Sequence, residues 1–258
     1  MLSKEFVATF IVPFTVGLTS IILPAWLLEI AADQAWSKQY HITYKGSEER
    51  WKQKDRRDHD SHDEVTTQSV LCMVVSSLFG ASVLYVLQPT DLSYDALMAP
   101  VSIVTWLTQY VVYIYTMDFV QYVFHYAGHK NQFLWEHVHS KHHTIHTPSA
   151  MQCAYGQIFS STMGAAVPIV VAFFLVRPSA TVFYVAAANQ IISFGPYGHS
   201  GLRIPLLDVL LGYGWLPFRA TPYLHDAHHR LSGKAATNLG TTVWLWDWLF
   251  GTLTTERV

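Results

Sequence analysis

At 258 residues the chain would suit one or two soluble domains, but only 13% of it is charged and 51% is hydrophobic, with a positive mean hydropathy, which places it in the membrane class. A formal net charge of −2, with basic residues gathered into no single patch, excludes a nucleic-acid footprint. Cys72 and Cys153 form neither a disulfide framework nor a CxxC motif, which leaves the thiols as bystanders.

A bilayer core takes about 20 apolar helical residues. Residues 6–30 read as the first span, longer than a signal-peptide core and so a retained anchor. Residues 33–68 follow as a charged loop. Within it, 45–64 alternate acids and bases with no apolar period, so His41, His59 and His62 read as surface histidines. Residues 70–88 and 96–117 are the next two spans, and 118–158 hold a first histidine-rich region with HYAGH and HSKHH. Residues 159–176 and 181–195 then form a membrane hairpin, the second arm short and polar at Asn189 and Gln190. A second histidine-rich region, 197–258, contains GHSG and HDAHH. Pro13, Pro24, Pro100 and Pro168 fall inside the spans, where membrane helices tolerate a kink.

The expected fold is an all-α integral membrane bundle of four to five membrane helices under a histidine-rich helical cap, one membrane-embedded domain over 1–258. If all five segments cross, or the last two form a re-entrant hairpin, the 33–68 loop and both histidine regions share one side. Fourteen of the 16 Lys and Arg residues then lie on that side, leaving only Lys4 and Arg177 opposite. By the positive-inside rule the histidines face the cytosol.

Eleven of the 14 histidines lie in the two histidine-rich regions. Residues three or four apart on a helix share a face, so each motif aims imidazoles at one point. His125 and His129 are spaced HxxxH. His139, His142 and His143 are spaced HxxHH, as are His225, His228 and His229. These eight ligands are too many for one ion and suit two. Burying so many imidazoles without metal would strand polar nitrogens. Neutral imidazole suits zinc, copper, iron and nickel, so ligand type alone does not choose the metal. Asp118, Glu136 and Asp226 are the only acids close in sequence to the ligands, and they read as outer partners holding imidazole tautomers. Such a pair of ions at a membrane boundary is well placed to act on a lipid, and iron would let it activate dioxygen. A divalent-metal transporter, in contrast, should carry its ligands at mid-bilayer.

The order HxxxH, HxxHH, a lone histidine, HxxHH, carried by LWEHVHSKHH, GHSG, LHDAHH, NLG and WDWLFGT, resembles the fatty acid hydroxylase and sterol desaturase superfamily of membrane di-iron oxygenases. The resemblance runs from about residue 118 to 252. It implies that His125, His129, His139, His142, His143, His225, His228 and His229 are catalytic iron ligands, with His199 of GHSG as a ninth. It leaves out His137 and His146, and puts Asn238 and Asp247 near the site. Within the superfamily the last box is similar to sterol C4-methyl oxidases, cholesterol 25-hydroxylases and sphingoid-base C4-hydroxylases. The chain departs from them in carrying Tyr126 where Arg is usual and in lacking the downstream Pro-Glu pair. The implied activity is O2-dependent hydroxylation of a sterol or a sphingoid or fatty-acyl lipid, or desaturation, in the endoplasmic reticulum membrane. The implied cofactors are two irons, with zinc able to replace them in a purified sample. Electrons would come from NADH or NADPH through a reductase and cytochrome b5, as a separate partner.

Overall fold

A computed structural model of the chain describes residues 3–34, 39–40, 62–145, 148–211, 215–230 and 237–254. His41, His59, His146 and most of the expected 33–68 loop lie outside the described residues. Among the described residues every regular element is helical, and the one β-pairing is an isolated bridge between Arg219 and Val243.

Five long helices carry the architecture: α1 (Lys4–Ala32), α2 (His62–Leu87), α3 (Ile103–Lys130), α4 (Ile158–Val176) and α5 (Ala180–Ile192). Among the short ones that follow are α6 (Pro222–Arg230) and α7 (Leu245–Phe250). Local chemistry sets several ends. The Ser3 and Ser102 hydroxyls accept from the main-chain N–H of Phe6 and Thr105, which caps α1 and α3. Arg177 closes α4 in the left-handed region, and Pro178 cannot continue the helix.

Helices α1, α2 and α4 are long and apolar enough to cross a membrane. At 19 residues, α4 extends about 29 Å, close to the thickness of a hydrocarbon core. Leu23, Trp26 and Leu27 on α1, Leu71 and Phe79 on α2, and Leu175 on α4 are exposed, the outward apolar belt of a protein surrounded by lipid. The other two expected spans differ. Residues 96–117 are not one helix: Tyr94–Met98 is a separate turn, and α3 begins only after Pro100, because proline and the residue before it both resist the α conformation. Pro100 is therefore outside any helix. The hairpin's second arm, α5, has 13 residues and runs on through a π-helical turn, Ser193–Tyr197. The expected charged loop also ends early, since α2 starts at His62.

Helix α1 packs against α2 and α5, and α3 against α4 and α5. Between α2, α3, α4 and α5 lies the main core, with Tyr113, Ile114, Met117, Phe173 and Ala186 fully buried. Tyr113 Oη donates to Ile169 O at 2.8 Å, tying α3 to α4. Consecutive helices alternate in direction. At one end Arg177 pairs with Asp91 at 3.1 Å and Lys4 lies over the Tyr94 ring, so the two basic residues expected opposite the histidines share one end. At the other, Gln68 Nε2 donates to Gly156 O and Lys141 Nζ to Gln68 Oε1, tying the start of α2 to the HSKHH segment.

Candidate metal centre

Helix α3 outruns the bundle and carries His125 and His129 on its last two turns. The chain turns at Asn131, whose side chain caps the next turn, then passes through a π-helical turn, Trp135–His139, and a 3-10 turn, His142–Thr144. The first turn delivers His139 and the second His142 and His143. His199 follows the π turn after α5, and α6 carries His225, His228 and His229.

All nine imidazoles expected as ligands converge. They form two groups, His125, His129, His139, His143 and His228 in one and His142, His199, His225 and His229 in the other, with the ligand atoms of each group within 4.8 Å of one another. The groups do not follow the sequence boxes. In each HxxHH the outer pair, four residues apart, joins one group and the middle histidine crosses to the other. His139 and His143 stay with α3 while His142 crosses; His225 and His229 stay with His199 while His228 crosses. The His143 and His229 rings, one from each group, stack with centroids 4.8 Å apart. His137 joins neither group: it is exposed, lies on the Phe133 ring, and has its Nδ1 at Phe133 O.

The donor set fits a cation. A ring nitrogen facing a carbonyl must be the protonated one, because a carbonyl only accepts. His125 Nδ1 meets Leu239 O at 2.9 Å, His228 Nδ1 meets Thr237 O at 2.8 Å, His142 Nδ1 meets Tyr155 O at 2.9 Å and His199 Nδ1 meets Gly195 O at 2.7 Å. Two rings in each group thus point a bare Nε2 lone pair inward. Inside the first group Nε2 atoms stand 3.1 Å apart for His129 and His139, 3.1 Å for His139 and His143, and 3.2 Å for His143 and His228. In the second, His199 Nε2 stands 3.0 Å from His225 and 3.1 Å from His229. Two nitrogens bound at right angles to one ion through bonds of about 2.1 Å lie about 3.0 Å apart. A proton between two rings satisfies one contact, whereas an ion accepts every lone pair at once.

Burial also keeps the rings neutral, as metal binding requires. It lowers the pKa of His125, His139, His142, His143, His225, His228 and His229 from the ordinary imidazole value, and for all but His142 neighbouring imidazoles lower it further.

The acids act differently from the sequence expectation, because main-chain carbonyls take the ring N–H groups of His125, His142, His199 and His228. Glu136 is exposed and accepts from Gln132, and Asp226 pairs with Arg230 at 3.3 Å. Asp118 works one step removed. Fully buried on α3, its carboxylate accepts from the main-chain N–H of Thr241 at 3.2 Å, Thr242 at 2.6 Å and Val243 at 3.3 Å. Asp247 accepts from Leu239 N and Gly240 N, each at 2.7 Å. The two carboxylates clamp the loop whose carbonyls at Thr237 and Leu239 orient His228 and His125. Asn238 adds to the clamp with φ 53° and its side-chain oxygen on Thr254 N. No spacing rule pointed to those carbonyls; the NLG run was the only signal near them.

Beside the histidines lies a chamber, about 830 Å³ with its open mouth included, lined by His125, His139 and His142 together with Phe124, Tyr155 and Phe194.

A family model for fatty acid hydroxylase matches residues 110–252. A very-long-chain aldehyde decarbonylase of Oryza sativa subsp. indica is 26% identical over 216 residues, covering 79% of this chain and 77% of its own. A fatty acid hydroxylase of Lecanicillium sp is 30% identical over 209 residues, 76% of this chain and 56% of its own. Sphinganine C4-monooxygenase 1 of Arabidopsis thaliana is 28% identical over 150 residues, 56% and 53% of the two chains. No solved structure matches.

Proposed function

The chain belongs to the fatty acid hydroxylase family, and from that premise we propose that it is a membrane-bound di-iron, O2-dependent hydroxylase of a long-chain lipid. The observation that carries this reading is the convergence of nine histidines, six buried and three part-buried, into groups of five and four beside an apolar chamber. In this reading the domain spans 1–258, and all nine histidines are metal ligands. Iron held by the two groups would supply dioxygen activation and the power to take hydrogen from an unactivated C–H bond.

The chain's own residues do the rest. The carbonyls of Leu239, Thr237, Tyr155 and Gly195 fix ring orientation and leave each Nε2 bare. Phe124, Phe194 and the methylene-rich chamber wall keep water from the reacting carbon and decide which carbon is presented. The balance is R–H + O2 + two electrons + two protons giving R–OH + H2O. The electrons come from NADH or NADPH through a reductase and cytochrome b5 as separate partners. The site faces the cytosol at the endoplasmic reticulum membrane, a reading supported by Lys4 and Arg177 lying together at the end away from the histidines. Metal transport is disfavoured, since the ligands sit beyond α1, α2 and α4 and not within them.

Metal analysis and lipid analysis together test the proposal. The purified protein is expected to hold about two irons per chain, and cells expressing it to gain a lipid heavier by one oxygen. A product lighter by two hydrogens would replace hydroxylation with desaturation. Full turnover by His142→Ala would defeat both.

A further inference from the structure

Two cavities in the bundle share their walls. One, about 700 Å³ with its open side included, lies between α1, α2, α4 and α5, and no charged side chain lines it. The other is the histidine chamber. Ile21, Ala154, Ser161, Ala165 and Ile191 line both, so the two adjoin at a neck made of those residues. From the neck the slot follows α2 from Cys72 to Leu84. The twelve steps between those two residues make about 18 Å of helix. The far end meets Leu84, Ile169, Val170 and Phe183, all members of the main core. Two hydroxyls along the wall are turned to the main chain: Ser76 Oγ donates to Ser161 O at 3.2 Å and Tyr184 Oη to Ala8 O at 3.0 Å. A wholly hydrocarbon occupant therefore leaves these polar groups paired.

One small residue stands where chamber meets neck. Gly164 lies in the π-helical turn of α4, Thr162–Ala166, adjacent to Ala165. A methyl group built on Gly164 would meet nothing within 4 Å, and the residue lines the chamber. Glycine costs a helix stability that alanine would supply. No neighbour excludes a side chain here, so a larger residue would extend into the open space beside the chamber wall. Gly80 on α2 faces the slot farther along, where an added methyl would stand 3.5 Å from Ala166 Cβ.

Resting on the hydroxylase reading, we propose that chamber and slot form one passage, a ruler read from the methyl end. It takes the unbranched, saturated tail of the substrate and seats the terminal methyl against Leu84 and Phe183. The reacting carbon is thereby fixed by its distance from that methyl, and Gly164 admits the chain. An extended chain advances about 1.2 Å per bond, so about 18 Å of slot holds about fifteen carbons beyond the neck.

Full-length protein in phosphatidylcholine vesicles is photolysed with a saturated eighteen-carbon fatty acid carrying a diazirine at its methyl end, and labelled peptides are read by mass spectrometry. Label is expected on α2 near Leu84 and on α5 near Phe183. Gly164→Leu is expected to lower it by about tenfold or more, and Gly164→Ala to lower it less. Label confined to the lipid-facing Val86 and Leu87, unchanged by Gly164→Leu, would overturn the proposal. So would a sterol diazirine that labels the slot while the fatty-acid probe does not. In turnover with chains of sixteen, eighteen and twenty carbons, the oxidised position is expected to stay constant counted from the methyl. A position constant from the headgroup refutes the ruler. Slot label without any oxidised lipid sustains the passage and sinks the hydroxylase reading; oxidised lipid without slot label does the reverse.

Discussion

Asp118 ties the membrane bundle to the metal centre without touching a histidine, which makes its removal a demanding test. Asp118→Ala strands the main-chain N–H groups of Thr241, Thr242 and Val243 in a fully buried place. Each buried orphan costs about 1 to 3 kcal/mol, so the low end for three is about 3 kcal/mol. For a chain of this size that corresponds to an unfolding midpoint lower by about 6 to 12 °C. Asp118→Asn can keep its oxygen toward Thr241 and Thr242 and give up only the contact to Val243, at about 1 kcal/mol. The loop also orients His125 and His228, both in the five-histidine group, through Leu239 O and Thr237 O. Loosening it is expected to weaken metal in that group by about 10- to 100-fold while leaving the four-histidine group unchanged. The assay is chelator competition on detergent-purified protein, repeated in a His142→Ala background that compromises the other group. Equal weakening at both groups, or a midpoint that falls while both metals hold at wild-type affinity, would refute the clamp.

Other perturbations give separate outcomes. His142→Ala cuts the four-histidine group to three and is expected to leave about one metal per chain, whereas His139→Ala leaves four ligands and weakens its ion by about 10- to 100-fold; metal content by mass spectrometry separates them, and identical losses would contradict the crossed partition. The buried histidines have folded pKa values below the ordinary 6.5, so the unfolded chain binds more protons in acid: the stability they hold is full above about pH 6.5 and is lost as pH falls. Asp118 and Asp226, pushed up to about 6 and about 7 by burial, and Asp247, raised by the same cause, work in the opposite sense above their ordinary value, but three carboxyls against seven imidazoles leave a net acid loss, readable as unfolding midpoint against pH. Gly240→Ala would put a methyl 2.3 Å from Val243 O and 2.8 Å from an Asp247 carboxylate oxygen, and is expected to cost about 3 kcal/mol or more in a thermal melt. Gly164→Ala, facing open space, should instead be neutral or gain about 0.5 to 1 kcal/mol.

The rings that converge were legible in the sequence because helical periodicity constrains local neighbours. Histidines four apart must share a face, and HxxxH with two HxxHH motifs gave eight of the nine convergent rings, the resemblance adding His199. The partition was not legible. Which group His142 or His228 joins depends on how α6 docks against the end of α3, a long-range fact with no local signature. The same limit hid the tautomer holders: carboxylates stand out in a sequence, but Tyr155, Gly195, Thr237 and Leu239 act through carbonyls that every residue owns. Apolar runs identified α1, α2 and α4 well. The 96–117 span was misread because Pro100 was granted the tolerance of a membrane kink, whereas here it separates two helices.

The crossed middle histidines give the centre an order of assembly. A nascent chain that has reached residue 198 already owns four rings of the five-membered group, lacking His228 alone, but owns just His142 of the other. The first pocket is then nearly whole while the second scarcely exists. Only when α6 docks does each half of the polypeptide hand one ring to the other, so final closure of both pockets is a single event that interlocks the two ends of the fold.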